Sequence, residues 1–62
     1  MKKCVVIIPA LNEEKTIVKV LDEIPESLFD HTVLIEKLVI DDGSSDHTAQ
    51  LAVEHGAMVI RL

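Results

Sequence analysis

The stretch LVIDDGSSD at residues 38–46 decides the fold of this 62-residue chain. Its three apolar residues do not alternate with polar ones, which is typical of a strand buried on both faces of a parallel sheet. The acidic half follows at once, with Ser45 as a candidate N-cap and Asp46 in the positively polarised first turn of a helix. The stretch therefore predicts a strand that passes through a tight acidic turn into a helix.

The N-terminal part of the chain shows the same arrangement. Residues 4–8 form a continuous apolar run, CVVII, which Pro9 ends. Asn12 is a candidate N-cap, and apolar residues at i, i+3, i+4 and i+7 then indicate a helix over 13–24, which Pro25 stops. This part predicts a strand at about residues 3–9, buried on both faces, followed by a helix.

The remaining segments complete an alternating pattern. Residues 26–35 have no regular periodicity and predict a connecting loop that runs into the strand at 36–41. A second helix over 46–55 ends at Gly56 in a left-handed C-terminal turn, and a third strand covers 57–61. The order strand, helix, strand, helix, strand predicts an α/β fold with three parallel strands, the βαβαβ half of a doubly wound, Rossmann-like nucleotide-binding sheet.

Length and composition limit what such a chain can do alone. A chain of 62 residues with a single cysteine has a marginal core and no internal disulfide. Two helices do not cover both faces of three strands, so we interpret residues 1–62 as one partial domain, the N-terminal part of a larger one. The apolar strand at 4–8 is expected to lie at an open sheet edge, which predicts self-association.

The net charge and the N-terminal sequence exclude some classes of partner and argue against secretion. Six Lys and Arg against eleven Asp and Glu give a net charge of −5, which argues against nucleic acid and against a polybasic membrane anchor. The basic start and the apolar residues 4–11 resemble a signal peptide. However, Pro9 interrupts the run and NEEK at 12–15 replaces a small-residue cleavage site. We therefore predict a cytoplasmic protein.

Two polar segments follow the first two predicted strands, PALNEE at residues 9–14 and DDGSSD at residues 41–46. Ligands of open parallel sheets bind beyond the carboxyl ends of the strands, so these segments are the candidate site. A carboxylate there can accept the N–H of a uracil or guanine ring and the hydroxyls of a ribose, while Gly43 lets the backbone turn sharply. The alternative interpretation is structural, with Asp41, Asp42 and Asp46 forming an Asx-turn and capping the second helix.

The pair of segments is more specific than either one alone. Residues 6–14, residues 38–48 and the Gly56-Ala57 pair resemble the N-terminal part of family 2 glycosyltransferases, which have the GT-A fold. Within that family the chain is most similar to the branch that makes polyprenol-phosphate sugars, of the dolichyl-phosphate mannose synthase type. The resemblance covers almost the whole chain and is weakest over 26–35.

The resemblance implies a nucleotide-sugar site. Pro9, Ala10 and Leu11 would line the nucleotide pocket, Glu14 would face the ribose or base, and Asp42, with Asp41 as the weaker candidate, would accept the base N–H. The candidate binding residues are Pro9, Ala10, Leu11, Glu13, Glu14, Asp41, Asp42 and Gly43. The donor would be a UDP- or GDP-sugar, and polyprenyl phosphate is the acceptor that this branch suggests.

The same resemblance implies a divalent cation whose ligands are not in this chain. The family binds the donor diphosphate through Mg²⁺ or Mn²⁺ held by an Asp-x-Asp motif after a later strand, and this sequence contains no Asp-x-Asp. We therefore assign no metal ligand and no catalytic residue to residues 1–62. The isolated chain is expected to be inactive, and a full-length form acting on a polyprenyl acceptor would associate with membranes.

Two other interpretations stay open at this point. A receiver-like phosphoryl-transfer domain also carries an acidic pair after an early strand. However, its phosphorylated Asp follows the third strand, where residues 57–62 have no acidic residue. The other possibility is a non-catalytic, truncated remnant of a glycosyltransferase.

Overall fold

Four strands and two short helices make up residues 2–62, the part of the chain that the computed structural model describes. In chain order they are β1 (Lys2–Ala10), α1 (Ile17–Glu23), β2 (Ser27–Leu28), β3 (Val33–Asp41), α2 (Thr48–Glu54) and β4 (Met58–Arg61). Within this part of the chain neither helix is long or apolar enough to cross a membrane.

The sheet is built around β3. Strand β1 runs parallel to β3 along its whole length, and β4 runs parallel to the last four residues of β3. The short β2 pairs antiparallel with the start of β3. Since a strand has only two edges and β1 occupies one of them, β2 and β4 share the other. The predicted α/β class and the parallel order of the three main strands are confirmed.

The prediction of a loop over 26–35 is wrong. Ser27 and Leu28 form β2, and β3 begins at Val33, three residues before the predicted start. Residues 33–35 are strand because they pair with residues 2–4 of β1, a long-range interaction that a local sequence pattern does not reveal. A turn in which three successive non-glycine residues have positive φ, Phe29, Asp30 and His31, joins β2 to β3.

The core lies on one face of the sheet. Its buried apolar residues come from both helices, from β3, from the end of β1 and from the residue before β4: Ala10, Ile17, Leu21, Val39, Ala52 and Ala57. Ile8 and Val59, which flank Val39 in the strand register, pack against this cluster. Both helices therefore cover the face that carries Ile8, Val39 and Val59.

The opposite face of the sheet is open in the described part of the chain, so the prediction that residues 4–8 are buried on both faces is wrong. On this face Val5 is 47% exposed and Ile7 is 62% exposed. Met58 and Ile60 of β4, on the other side of β3, are exposed as well. The cause is topological, because both helices cover the same side of the sheet.

The outer edge of β1 is also open among the described residues. The N–H of Lys2 donates to the carbonyl of Thr32, and the N–H of Asp42 donates to the carbonyl of Ala10. Backbone groups alternate in direction along a parallel strand, so the even-numbered residues face β3 and the odd-numbered residues from Lys3 to Pro9 face outward. The missing N–H of Pro9 therefore leaves the ladder intact, as is usual for proline in an edge strand.

Candidate functional site

Two loops lie side by side at the carboxyl ends of the strands. The first loop (residues 11–16) follows β1, and the second loop (residues 42–47) follows β3. Their starting points, Ala10 and Asp41, are register partners in the sheet, and the N–H of Asp42 donates to the carbonyl of Ala10 at 2.9 Å. The structure thus brings together the two polar segments that the sequence singled out.

Side chains after β3 bind the backbone of the first loop. Three successive N–H groups donate to side-chain oxygens: Asn12 to Ser44 Oγ (2.9 Å), Glu13 to Thr48 Oγ1 (2.8 Å) and Glu14 to Asp46 Oδ2 (3.2 Å). These N–H groups lie just before α1, where a helix has no backbone acceptors of its own to offer. The second loop and the first residue of α2 therefore supply those acceptors.

The first loop binds the second loop in return. The N–H of Ser45 donates to Asn12 Oδ1 at 2.9 Å, and the N–H of His47 donates to Glu14 Oε2 at 3.1 Å. Asn12 has a φ of +52°, in the left-handed region that asparagine tolerates better than most residues. We call this reciprocal set of five hydrogen bonds between loop backbone and opposing side chains the loop latch.

Both helices begin after their predicted starts, within the margin of about two to four residues expected of such boundaries, and the latch explains the delay. Helix α1 begins at Ile17 and α2 at Thr48, and their N-cap positions, Thr16 and His47, make no side-chain cap hydrogen bond. Asn12 and Ser45, which the sequence suggested as N-caps, instead bond to each other across the loops. The N–H groups before each helix are satisfied from the other loop, so the chain need not become helical there.

Asp46 lies outside α2 rather than in its first turn. Its Oδ1 accepts from the N–H of Thr48 at 3.0 Å and from the Thr48 hydroxyl, and its Oδ2 accepts from Glu14. These hydrogen bonds, with the Thr48 hydroxyl contributing most, hold the pKa of Asp46 below its ordinary value despite the opposing effect of burial. Asp46 is therefore ionised at neutral pH and joins the two loops.

Asp41 is the buried carboxylate of the site. It is fully buried, and its Oδ1 accepts from the N–H of Ser44 at 2.9 Å. Its Oδ2 lies 3.3 Å from Arg61 Nε and accepts no hydrogen bond from the described residues. Hydrogen bonds from Ser44 lower the pKa of Asp41 most, Arg61 lowers it further, and burial and the charge of Asp46 oppose this.

Asp42 is placed quite differently from its neighbour. Its side chain is exposed, and no described residue donates a hydrogen bond to its carboxylate. Gly43, next to it, has a φ of +85°, a conformation that glycine adopts without the strain of a Cβ. Of the predicted acidic pair, Asp41 holds the turn and Asp42 is available to a ligand.

The other candidate residues divide in the same way. Ala10 is buried, and Glu14 is bound to His47, so both maintain the loops. Pro9 and Leu11 are exposed, Leu11 at 51%. The side chain of Glu13 accepts only from the hydroxyl of Thr16, at 2.7 Å, among the described residues.

Sequence reasoning missed Arg61 and the buried Thr48 as residues that shape the site. Arg61 ends β4, and its Nη2 donates to the carbonyl of Ser44 at 3.0 Å. The rule that led to the two loops, that sites form at the carboxyl ends of parallel strands, applies to β4 as well. It could have identified Arg61. For Thr48 no local signal exists, because its partner Glu13 is 35 residues away.

The described residues do not form a metal site. In residues 2–62 no three His, Cys, Asp or Glu side chains are placed to hold one ion together. An open cavity of about 580 Å³ lies at the other end of the sheet, lined by Lys2, Phe29 and Val33 among others. None of the candidate residues lines that cavity.

Comparison with known proteins gives the family. The sequence model of the protein family described as glycosyl transferase family 2 matches residues 5–62. The chain is 48% identical over 54 residues to 4,4'-diaponeurosporenoate glycosyltransferase of Staphylococcus haemolyticus, covering 87% of this chain and 13% of the relative. It is 41% identical over 59 residues to the enzyme of the same name from Staphylococcus aureus, covering 95% of this chain and 15% of the relative.

Solved structures of a glycosyltransferase are also similar to this chain. Glucosyl-3-phosphoglycerate synthase of Mycobacterium tuberculosis with uridine diphosphate superposes with a TM-score of 0.75 at 42% identity, covering 97% of this chain and 21% of that one. The same enzyme with Mn²⁺ and UDP-glucose gives a TM-score of 0.74 at 42% identity, covering 97% and 20%. The chain therefore spans about a fifth or less of these relatives. Because the family model covers nearly the whole chain, the chain belongs to glycosyl transferase family 2.

Proposed function

We propose that this chain is the nucleotide-sugar-binding segment of a glycosyltransferase that moves a sugar from a nucleoside diphosphate to an acceptor. The observation that carries the proposal is the exposed Asp42, whose carboxylate has no partner among the described residues and which lies beside the loop latch at the carboxyl ends of β1 and β3. The solved relative, which binds UDP and UDP-glucose, supports it.

Asp42 is proposed to bind the base. A carboxylate is an acceptor only, so it suits the ring N–H of uracil or guanine. The sheet and the bond from the N–H of Asp42 to Ala10 hold the backbone before Asp42, and the loop latch holds it from Ser44 onward. This order before any ligand arrives reduces the entropy that binding would otherwise lose. Leu11 provides exposed apolar surface on the first loop, in place of an aromatic ring.

Glu14 can contact a ribose only in a restricted way. Its Oε2 accepts from the N–H of His47 and faces the His47 ring at 3.3 Å, so this oxygen is occupied. Oε1 accepts no hydrogen bond from the described residues and is the atom that we propose for a ribose hydroxyl. The geometry thus favours one hydrogen bond from Glu14 to a ribose rather than two.

We also propose that Mg²⁺ or Mn²⁺ takes part in donor binding, as the Mn²⁺ complex of the solved relative suggests. The described residues do not fit that role, since no three ligand side chains meet. The ligands would belong to parts of a longer enzyme. A bound cation would offset the repulsion between a donor diphosphate and a chain of net charge −5.

The acceptor and the location remain proposals. The two relatives are named for different acceptors, a diaponeurosporenoate and a phosphoglycerate, so neither name favours polyprenyl phosphate. The polyprenyl acceptor, and with it membrane association of a full-length cytoplasmic enzyme, rests on the sequence resemblance. Transfer from UDP-glucose to polyprenyl phosphate or to 3-phosphoglycerate, measured with a full-length enzyme, would distinguish the two acceptors. Cell fractionation tests the location.

We expect the chain to bind uridine and UDP weakly, and without Mg²⁺, because the proposed base contact uses only residues of this chain. Ligand-observed NMR with uridine, UDP and GDP at millimolar concentration, with and without Mg²⁺, measures this. A folded sample that gives no signal with any of them would contradict a usable base site and favour a remnant. The receiver interpretation, which family membership no longer supports, predicts Mg²⁺ binding and no nucleoside binding.

Self-association through the open edge of β1 is a further part of the proposal. Lys3, Val5 and Ile7 present backbone N–H groups outward, and the side chains of Val5 and Ile7 are largely exposed. A second copy pairing along this edge would satisfy those groups. We expect the chain to oligomerise at high concentration, as measured by sedimentation velocity.

Two lysine variants test this prediction, one with the new charge on the edge strand and a control with the charge away from it. Ile7→Lys should reduce the association, since a charged side chain on an edge strand opposes pairing. Val20→Lys, on an exposed position of α1, should leave it unchanged. A clean wild-type monomer with a sharp thermal transition at high concentration would contradict the proposal.

A further inference from the structure

Arg61 contacts both ends of the turn that carries Asp42. It is the register partner of Asp41 at the end of β4, and its Nε lies 3.3 Å from Asp41 Oδ2. Its Nη2 donates to the backbone carbonyl of Ser44 at 3.0 Å. One planar guanidinium therefore reaches the first and the last residue of the segment 41–44.

Asp41 needs the cation beside it. The side chain is fully buried, and Oδ2 accepts no hydrogen bond within the described residues. A buried anionic oxygen without a hydrogen bond is unfavourable unless an opposite charge is close. Arg61 is the one Lys, Arg or His side chain within ion-pair distance of Asp41 in the described part of the chain.

Ser44 connects the turn at 41–44 to the first loop. Its N–H donates to Asp41 Oδ1, closing the turn, while its Oγ accepts from the N–H of Asn12. Asp42 and Gly43 lie between these two fixed residues and make no side-chain hydrogen bond in the described structure. Asp41 and Ser44 therefore fix the backbone position from which the Asp42 side chain extends.

We propose that Arg61 is a positioning residue for nucleoside binding, which acts on Asp42 through Asp41 and Ser44. The inference rests on the proposed function, because Asp42 is the base acceptor there. A guanidinium can hold the two contacts at once through its fixed array of donors. A lysine ammonium has its three donors on one nitrogen, so it matches two separate acceptors less well.

The test compares Arg61→Gln and Arg61→Lys with the wild-type chain, and uses Lys19→Gln as the control, since Lys19 is an exposed lysine on α1. We expect Arg61→Gln to weaken uridine and UDP by the same factor, about tenfold, as for the loss of a hydrogen bond to a charged group. Arg61→Lys should lose less, and Lys19→Gln should lose nothing. A loss for UDP but not for uridine would overturn the proposal in favour of direct phosphate contact.

Two further measurements separate positioning from stability alone. In an Asp42→Ala background, Arg61→Gln should have no additional effect on uridine binding. In the ligand-free chain, the amides of Asp42 and Gly43 should exchange with solvent faster in Arg61→Gln than in the wild type. A lowered melting temperature with unchanged uridine affinity and unchanged exchange in the folded protein would overturn the proposal.

Amide exchange in the ligand-free chain also distinguishes a failure of the proposed function from a failure of the role proposed for Arg61. If the wild-type chain binds no uridine, the proposed function fails. The exchange of the Asp42 and Gly43 amides then still decides whether Arg61 orders the turn.

Discussion

Asp42→Ala is expected to weaken uridine binding by roughly tenfold to a hundredfold, which is most of the affinity that the chain has for a nucleoside. A hydrogen bond to a charged group contributes about 1.5–3 kcal/mol, and the Asp42 carboxylate is exposed with no partner of its own to lose. The loss should therefore appear in affinity and hardly in stability. Ligand-observed NMR titration with uridine, alongside a thermal melt of each variant, measures both.

A ligand that lacks the ring N–H provides the sharpest control. With 3-methyluridine the wild-type chain should already bind weakly, and Asp42→Ala should not weaken that binding further. Asp42→Asn is less informative, since the amide can turn its carbonyl toward the base. Glu54→Ala removes an exposed carboxylate from α2 and should leave uridine binding unchanged. Equal losses for uridine and 3-methyluridine in Asp42→Ala would show that Asp42 does not accept the base N–H.

Asp46→Asn is a second comparison within the same loop. Asp46 is committed to Thr48 and Glu14, so its role is structural. Asparagine keeps one acceptor oxygen, for Thr48, and loses the one that accepts from the N–H of Glu14, so it weakens the latch without removing the proposed base acceptor. We expect a smaller effect on uridine binding than that of Asp42→Ala.

The main fold was predictable because it follows from local patterns and one topological rule. The apolar runs that became β1 and β3 are each followed by a polar turn, and the run that became β4 follows the helix stop at Gly56. Parallel crossovers then determine the order of the strands. Strand β2 was not predictable, since two residues, Ser27 and Leu28, carry no periodicity. The early start of β3 at Val33 depends on pairing with β1, which is distant in sequence.

The meeting of the two loops that form the candidate site was predictable, but the separate roles of their residues were not. Two segments after neighbouring parallel strands had to meet, and they do. The structural alternative, an Asx-turn with a capped helix, turns out to describe Asp41 and Asp46 but not Asp42. Local capping rules compare residues three or four apart. They do not detect that Asn12 and Glu14 bind groups 33 residues away.

The loop latch itself gives the largest expected effect on stability, at Thr48. This residue is fully buried, and its hydroxyl accepts from the N–H of Glu13 at 2.8 Å and donates to Asp46. Thr48→Val keeps the shape of the side chain and removes only the hydroxyl. The Glu13 N–H then has no acceptor, and an unsatisfied group of this kind costs about 1–3 kcal/mol.

In a domain of this size each kcal/mol lowers the melting temperature by about 4–8 °C, so Thr48→Val should melt roughly 5–20 °C below the wild type. Thr48→Ser, which keeps the hydroxyl, should recover part of that loss. Thr16→Val is the matched control, since the exposed Thr16 hydroxyl that bonds to Glu13 can be replaced by water. The Glu13 amide should exchange faster with solvent in Thr48→Val than in either of the other variants. Equal melting temperatures for Thr48→Val and Thr16→Val would mean that the buried hydrogen bond across the latch adds nothing to the stability of the chain.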